Sequence, residues 1–285
     1  MTYTDAANRG AKIIRKNLWL LLIPVVSDSV VLLLNYLSSG VFINISKIPS
    51  FQLKFTLPSS LPSLKNIVDA FPDLISFSTN TGFQNSILSP YTTIPAPWSS
   101  LYIVCSVLLF SIFTAFLEGG FLGCIANTYR KDEKSSIKDF IHFGCHYWNR
   151  FLGLRVIGYL AIAFGIAFLP VIFVYFFVAL LIFYLSYALV WDDVSVFEAF
   201  TRAVSRFTSR LGNSLGYMIY LAFLLGLLSL VVIPLSRISV FPASILYNVC
   251  ACYLIAGIMV MYAGERSVPE TETRPEDSGS FDIRV

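Results

Sequence analysis

Two acidic residues stand inside apolar runs, and they are the residues best placed to do chemistry. Asp28 follows Asn17, where the first run begins, by 11 residues, and Glu118 precedes Arg130, where the second ends, by 12. At about 1.5 Å per helical residue they lie roughly 16 and 18 Å along their helices. Antiparallel neighbouring helices would bring them to one depth. An ionised carboxylate there is costly unless it faces a cavity or a partner. Two acids together share a proton or hold a cation. Asn35 lies on the same side as Asp28, two turns on, and Arg155, about one turn into the third run, is within reach of Glu118 as a counter-ion. The blander reading is structural, with each acid hydrogen-bonding between helices. Ion or proton handling and helix pairing both stand open on the sequence.

His142 and His146, with Asp139 a turn before, have a spacing found in metal sites. They are the only two histidines, and Cys145 points elsewhere on the helical wheel, so the reading is a polar interfacial face and no metal. The five cysteines avoid the one long polar segment and read as small packing residues rather than a disulfide framework. No nucleophile elbow, phosphate loop, zinc-protease helix or kinase set occurs. The expectation is a protein without enzyme activity or cofactor.

Positioning these residues falls to long apolar helices. The composition is 56% hydrophobic and 13% charged, with a mean hydropathy of +0.72. Six runs, at roughly 18–39, 101–126, 152–170, 171–191, 211–234 and 243–264, approach the 20 or so residues that span a bilayer core. Pro170 marks a tight external turn between the third and fourth. Asp28 and Asn35 interrupt the first run and no small-x-small site ends it, so it reads as an uncleaved span rather than a signal peptide. Gly119-x-x-x-Gly123, Ala161-x-x-x-Gly165 and Gly212-x-x-x-Gly216 mark close helix approaches.

Three stretches begin with a hydroxyl, carry an acid three residues on and a small residue eight on: Thr2, Asp5, Gly10; Ser136, Asp139, Gly144; Ser195, Glu198, Ala203. The first two residues form a helix-capping box. Each stretch therefore predicts an amphipathic helix lying in the interface before a membrane hairpin, three units in all. His142, His146 and Trp148 fall on the second such helix, Arg202 and Arg206 on the third.

Between the first two runs, about 40–98, lies a small external insertion. Residues 41–48 and 51–57 predict a strand pair, 63–71 a short helix ended by Pro72, and 78–99 an irregular stretch. Residues 1–266 form one polytopic membrane domain, and 267–285 a disordered tail with five acids and two arginines. Basic residues cluster around 9–16, 130–150 and 202–210, which six spans would put on one face. The positive-inside rule makes that face cytoplasmic, with both termini there, in a multi-pass cell-membrane protein. Anionic lipid headgroups, not nucleic acid, suit these bases.

The stretches DAANRGAKIIRKNLWLLLIP at the start, SSIKDFIHFGCHYWNRFLGL at 135–154 and VSVFEAFTRAVSRFTSRLGNSLGY at 194–217 carry a resemblance. The layout resembles a broad group of prokaryotic six-span proteins, including the membrane domain joined to some glycerophosphodiester phosphodiesterases and the YciC-like inner-membrane proteins. The resemblance leaves out 40–98 and the tail, implies an all-α six-span fold, and brings no catalytic residues. The functional expectation is a non-enzymatic scaffold, assembly factor or subunit, whose partner is another membrane protein or a second copy. The alternative is a transporter or channel using Asp28, Glu118 and Arg155.

Overall fold

Thr2 opens the first helix by exchanging hydrogen bonds with Asp5. Its Oγ1 accepts from the Asp5 nitrogen at 3.2 Å, while Asp5 Oδ2 accepts from the Thr2 nitrogen at 3.0 Å. The computed structural model describes residues 2–39, 60–64, 68, 98–167, 184–209 and 211–264, with the helical backbone alone at 34–39, 98–107, 158–167 and 211. The helices are α1 (Tyr3–Lys16), α2 (Leu22–Ser39), α3 (Trp98–Lys131), α4 (Ile137–Ala167), α5 (184–191), α6 (Val196–Ser209), α7 (Leu211–Ile238) and α8 (Val240–Ala263), with a short tight turn of helix at Leu18–Leu21. Among the described residues there is no strand. The strand pair expected at 41–57 and the turn at Pro170 lie outside them.

The chain is a helical, membrane-embedded protein. Among the described residues three stretches, Leu108–Lys131, Gly212–Ile238 and Val240–Ala263, are long and apolar enough to cross a bilayer. A fourth is added if α1 and the helix after it, bent by 98°, count as one span.

The second box is also complete: Ser136 Oγ accepts from the Asp139 nitrogen at 3.2 Å and Asp139 Oδ2 accepts from the Ser136 nitrogen at 2.7 Å. In the third, Ser195 Oγ accepts from the Glu198 nitrogen at 3.4 Å, but Glu198 Oε1 takes Arg202 at 2.5 Å instead of completing the exchange. The small residue eight positions on is buried in all three.

The short helices themselves differ. α1 buries Ala6, Gly10, Ile13 and Ile14, exposes Arg9, Lys12 and Arg15, and stops at Asn17 before the bend. α6 stops at Ser209. The second copy does not stop. α4 runs unbroken for 31 residues, and its first half stands antiparallel against α3 instead of ending before a separate span. Gly119, Gly120 and Gly123 leave room on α3 for the aromatic face of α4. A Cβ at these positions would lie 2.8 Å from Tyr147 Cβ, 2.6 Å from the Phe140 ring and 2.5 Å from Phe143 Cβ. Gly144 returns the fit by receiving the Phe116 ring. The expected close approach at Gly119 and Gly123 is thus a ring-into-glycine seam. Gly212 meets nothing within 4 Å, and Gly216 receives the Tyr3 hydroxyl, so that pair is no helix crossing.

α1 lies against α8 near its end and against the start of α7, where Tyr3 meets Tyr217 and Tyr220. At the crossing a Cβ on Gly10 would overlap the Gly257 backbone nitrogen and stand 2.8 Å from the Ala256 carbonyl carbon. These are backbone atoms of a packed helix and cannot step aside. Gly10→Ala is therefore expected to cost about 1–3 kcal/mol through overpacking. Gly212→Ala, in open space, should be neutral or stabilising by under about 1 kcal/mol. Unfolding midpoints of the two variants in detergent check this, and equal midpoints would reject a tight α1–α8 crossing.

Part of the insertion packs against the helices. Leu64 and Val68 are fully buried among Leu32 of α2, Leu225, Val232 and Ile233 of α7, and Val240, Ala243, Tyr247 and Ala251 of α8. The Val68 nitrogen donates to the Leu64 carbonyl at 2.9 Å, while residues 65–67 and 69–71 of the predicted 63–71 helix lie outside the described residues. Trp98 and Ser99, expected in the irregular stretch, already belong to α3.

Candidate functional site: the intramembrane carboxylates

Asp28 is 1% exposed and accepts four hydrogen bonds from two parts of the chain. Ser63 Oγ donates to Oδ1 at 2.6 Å. The Leu64 backbone nitrogen, Ser244 Oγ and Asn248 Nδ2 donate to Oδ2 at 2.9, 2.8 and 2.8 Å. Asn248 Nδ2 also donates to Ser244 Oγ at 3.0 Å, and Asn248 Oδ1 is buried without a hydrogen-bond partner. Ser244 and Asn248 are one turn apart on α8, so both reach the same carboxylate. The chain at 60–64 brings irregular backbone into the bundle beside α2 and α8. Backbone of that kind survives in an apolar surrounding only where its polar groups are answered by protein. Asp28 answers the Leu64 N–H.

Glu118 is a separate site. Arg155 Nη2 donates to its Oε2 at 2.9 Å, joining α3 to α4, with the side chains 9% and 26% exposed. Arg155 Nε is buried without a hydrogen-bond partner. The sequence brings Glu118 and Arg155 together as expected from their depths, but it does not bring Asp28 to Glu118. The acids sit on different helix pairs with different partners, and no hydrogen bond joins one to the other. Asn35 belongs to α2, and its side chain lies outside the described residues.

The basic clusters meet at one end of the helices. Asn17, fully buried, closes the α1 bend: Nδ2 donates to the Ile13 carbonyl at 3.0 Å and to Thr128 Oγ1 at 2.9 Å, while Oδ1 accepts from the Ser135 nitrogen at 2.8 Å. Trp19 Nε1 donates to the Ser135 carbonyl at 3.1 Å. Lys16 Nζ pairs with Asp132 at 2.6 Å, and this hydrogen bond holds the Asp132 carboxyl below the usual carboxylate range. The turn after α5 then joins three helices. Asp192 accepts from Arg206 at 2.7 Å and from the Tyr262 hydroxyl at 2.9 Å, with Arg202 at 3.9 Å. Arg206 also lies 4.6 Å over the Tyr262 ring. Asp193, in the left-handed region at φ 51°, accepts from His146 Nε2 at 3.0 Å and from Arg150 at 2.7 Å.

His142 and His146 stack nearly parallel, 6.4 Å apart, on the exposed face of α4 with Trp148. Asp139 is engaged by the Ser136 cap and His146 by Asp193. Among the described residues no three His, Cys, Asp or Glu side chains stand together as a metal set.

Burial raises the Asp193 carboxyl, but the His146 hydrogen bond and Arg150 outweigh it, and the group titrates below its ordinary value. A depressed folded-state value stabilises above the unfolded value of about 3.9 and is lost as pH falls through the folded one. Asp193→Asn should therefore flatten the acid limb of the stability profile below about pH 4. The side chain is half exposed, so the effect should stay under about 1 kcal/mol. An acid limb identical in both proteins would show that this tie contributes nothing.

Ser244, Asn248, Asp192 and Asp193 are the residues that the sequence reading missed. The signal for the first two was two amide-or-hydroxyl side chains one turn apart in an otherwise apolar helix. For the last two it was a pair of acids between a long apolar run and a basic helix. Compared with protein-family models, with curated proteins and with solved structures, the chain matches none.

Proposed function

We propose that this protein is a non-enzymatic component of a cell membrane, a scaffold, assembly factor or subunit that acts through its surfaces. The observation that carries this reading is the use of the intramembrane carboxylates. Each is engaged by the chain's own side chains, and each joins segments of the fold: Asp28 ties α2 and α8 to the buried part of the insertion, and Glu118 ties α3 to α4. Six spans in three helix-plus-hairpin units, with both termini cytoplasmic, complete the proposed arrangement, in keeping with the six-span group that the sequence resembles. Arg9, Lys12 and Arg15 on the exposed face of α1 suit anionic headgroups, while Phe197 (83% exposed) and Phe200 of α6 suit the apolar edge of an interface. The partner is another membrane protein or a second copy.

Extraction in a mild detergent, with mass spectrometry of everything that stays bound, tests the reading. A stoichiometric protein partner or a defined homo-oligomer supports it, and a lone chain carrying only lipid rejects it. Transport is the second reading, favoured by the irregular chain at 60–64 against Asp28, since ion sites in transporters are lined by interrupted backbone. Flux in liposomes that is absent, or indifferent to Asp28→Asn and Glu118→Gln, rejects that alternative.

A further inference from the structure

Three cations on α1 are not used by the fold. Arg9, Lys12 and Arg15 are exposed on the side away from Ala6, Gly10, Ile13 and Ile14, and they recur every third residue, so one partner can meet all three. Lys16 is taken by Asp132 at 2.6 Å, and Asp5 by the Thr2 cap. Asp5 and Asp132 stand close enough to be influenced by Arg9 and Lys12, yet neither pairs with them. Among the described residues no carboxylate forms an ion pair with Arg9, Lys12 or Arg15.

α1 also lies where the last helix ends. It crosses α8 at Gly257, where a Cβ would stand 3.5 Å from the Ala6 carbonyl oxygen. Ala263 closes α8 six residues on, about 9 Å along the axis, and Gly264 follows at φ 73°. Residues 265–285 lie beyond the described ones. Within them, 270–277 hold Glu270, Glu272, Glu276 and Asp277 against Arg274, four acids to one base.

We propose that residues 270–277 dock on the Arg9, Lys12 and Arg15 face of α1 in the same chain, and compete there with anionic headgroups. The competition rests on the headgroup reading of α1 given above; the docking does not. The charges are complementary and the reach fits. The first acid follows Gly264 by six residues and the last by 13, and coils of that length span about 13–20 Å on average. That covers the roughly 9 Å back to the crossing, beside which Arg9 lies. A tether this short holds its acids near α1 at an effective concentration of about 1 mM. Each exposed ion pair alone is weak, so the contact depends on several forming together and on the tether. A second chain carries the same charges without the tether, which favours the segment's own α1.

The test treats the full chain, in a neutral detergent, with a carbodiimide, which joins a carboxylate to an amine with no spacer. The Lys16–Asp132 pair serves as the internal control. The expected result is a link from Lys12 to Glu270, Glu272, Glu276 or Asp277. It should be roughly fivefold more abundant than links from the same acids to Lys138, which is exposed on α4 and pairs with no carboxylate among the described residues. Mixing light and heavy isotope-labelled chains should give no hybrid link. In a second measurement, the full chain with Glu270→Gln, Glu272→Gln, Glu276→Gln and Asp277→Asn should bind short-chain phosphatidylglycerol roughly three- to tenfold tighter than wild type. That gain should disappear when Arg9→Gln, Lys12→Gln and Arg15→Gln are added. Equal linking to Lys12 and Lys138, or links only between chains, overturns the docking. So does unchanged phosphatidylglycerol binding together with no Lys12 link, which leaves the face to lipid. A Lys12 link with no phosphatidylglycerol binding by any of these chains supports the docking and overturns the competition, along with the headgroup reading.

Discussion

Asp28→Ala is expected to cost about 3–5 kcal/mol, among the largest losses of any single substitution in this chain. The substitution removes an acceptor that serves four donors at once. The Leu64 N–H and the Ser244 and Asn248 donors are buried, and each buried donor left unmet costs about 1–3 kcal/mol, reduced where the groups repartner. Ser244 and Asn248 can bond to one another, as they already do at 3.0 Å, so the full sum is not reached. The Leu64 N–H has no such neighbour in its own helix turn. The damage should therefore be local before it is global. The chain at 60–68 should leave its seat between α2, α7 and α8, uncovering the apolar residues around Leu64 and Val68. Proteolysis or hydrogen exchange over 60–68, read beside the global unfolding midpoint, separates the two effects. Asp28→Asn should fall between, because the amide keeps one acceptor oxygen but turns an N–H₂ toward donors. A wild-type midpoint and unchanged protection at 60–68 in Asp28→Ala would show that the carboxylate holds nothing together.

The legible parts of this fold were the local ones. A capping box needs two residues three apart, and both complete boxes could be read at Thr2–Asp5 and Ser136–Asp139. The pairing of Glu118 with Arg155 was legible because α3 and α4 are consecutive, so counting residues from a short loop fixes which depths meet. Asp28 could be flagged as an acid in an apolar run, but its partners lie 35 to 220 residues away, and no count along one helix reaches Ser244 or Asn248. Two places were not legible. His142, His146 and Trp148 read as parts of a short interfacial helix that ends before a separate span. They lie on the exposed face of a helix whose other face, Tyr147 and Phe151, stays packed. A helix stops at a cap or a breaker rather than at a polar side chain, and α4 has neither there. Residues 60–62 carry no reading of their own within the external insertion, and Ser63 reads as the start of a short helix. Irregular backbone is buried here because a carboxylate from another helix answers its N–H, and that compensation leaves no trace in the segment's own residues.

Removing one member of the Glu118–Arg155 pair should be far worse than removing both. Arg155→Met leaves a carboxylate on α3 with no counter-ion, and Glu118→Leu leaves a guanidinium facing an apolar seam. Breaking a buried pair this way costs about 3–5 kcal/mol, most of it the penalty for the charge left behind. Glu118 is the more buried partner, so Arg155→Met should be the more harmful change. Glu118→Leu with Arg155→Met exchanges two charges for apolar groups of similar size. It also removes the unpartnered Arg155 Nε, and such replacements are often neutral or stabilising. The expected order of unfolding midpoints is therefore the double variant near wild type, with both single variants well below. This order also discriminates the two functional readings. If the pair serves only to join α3 to α4, the double variant should keep both its stability and its bound partners. If the pair handles ions, the double variant should regain stability while its flux stays lost. A double variant as unstable as the worse single one would show that the two charges do not act as a pair, despite their 2.9 Å separation.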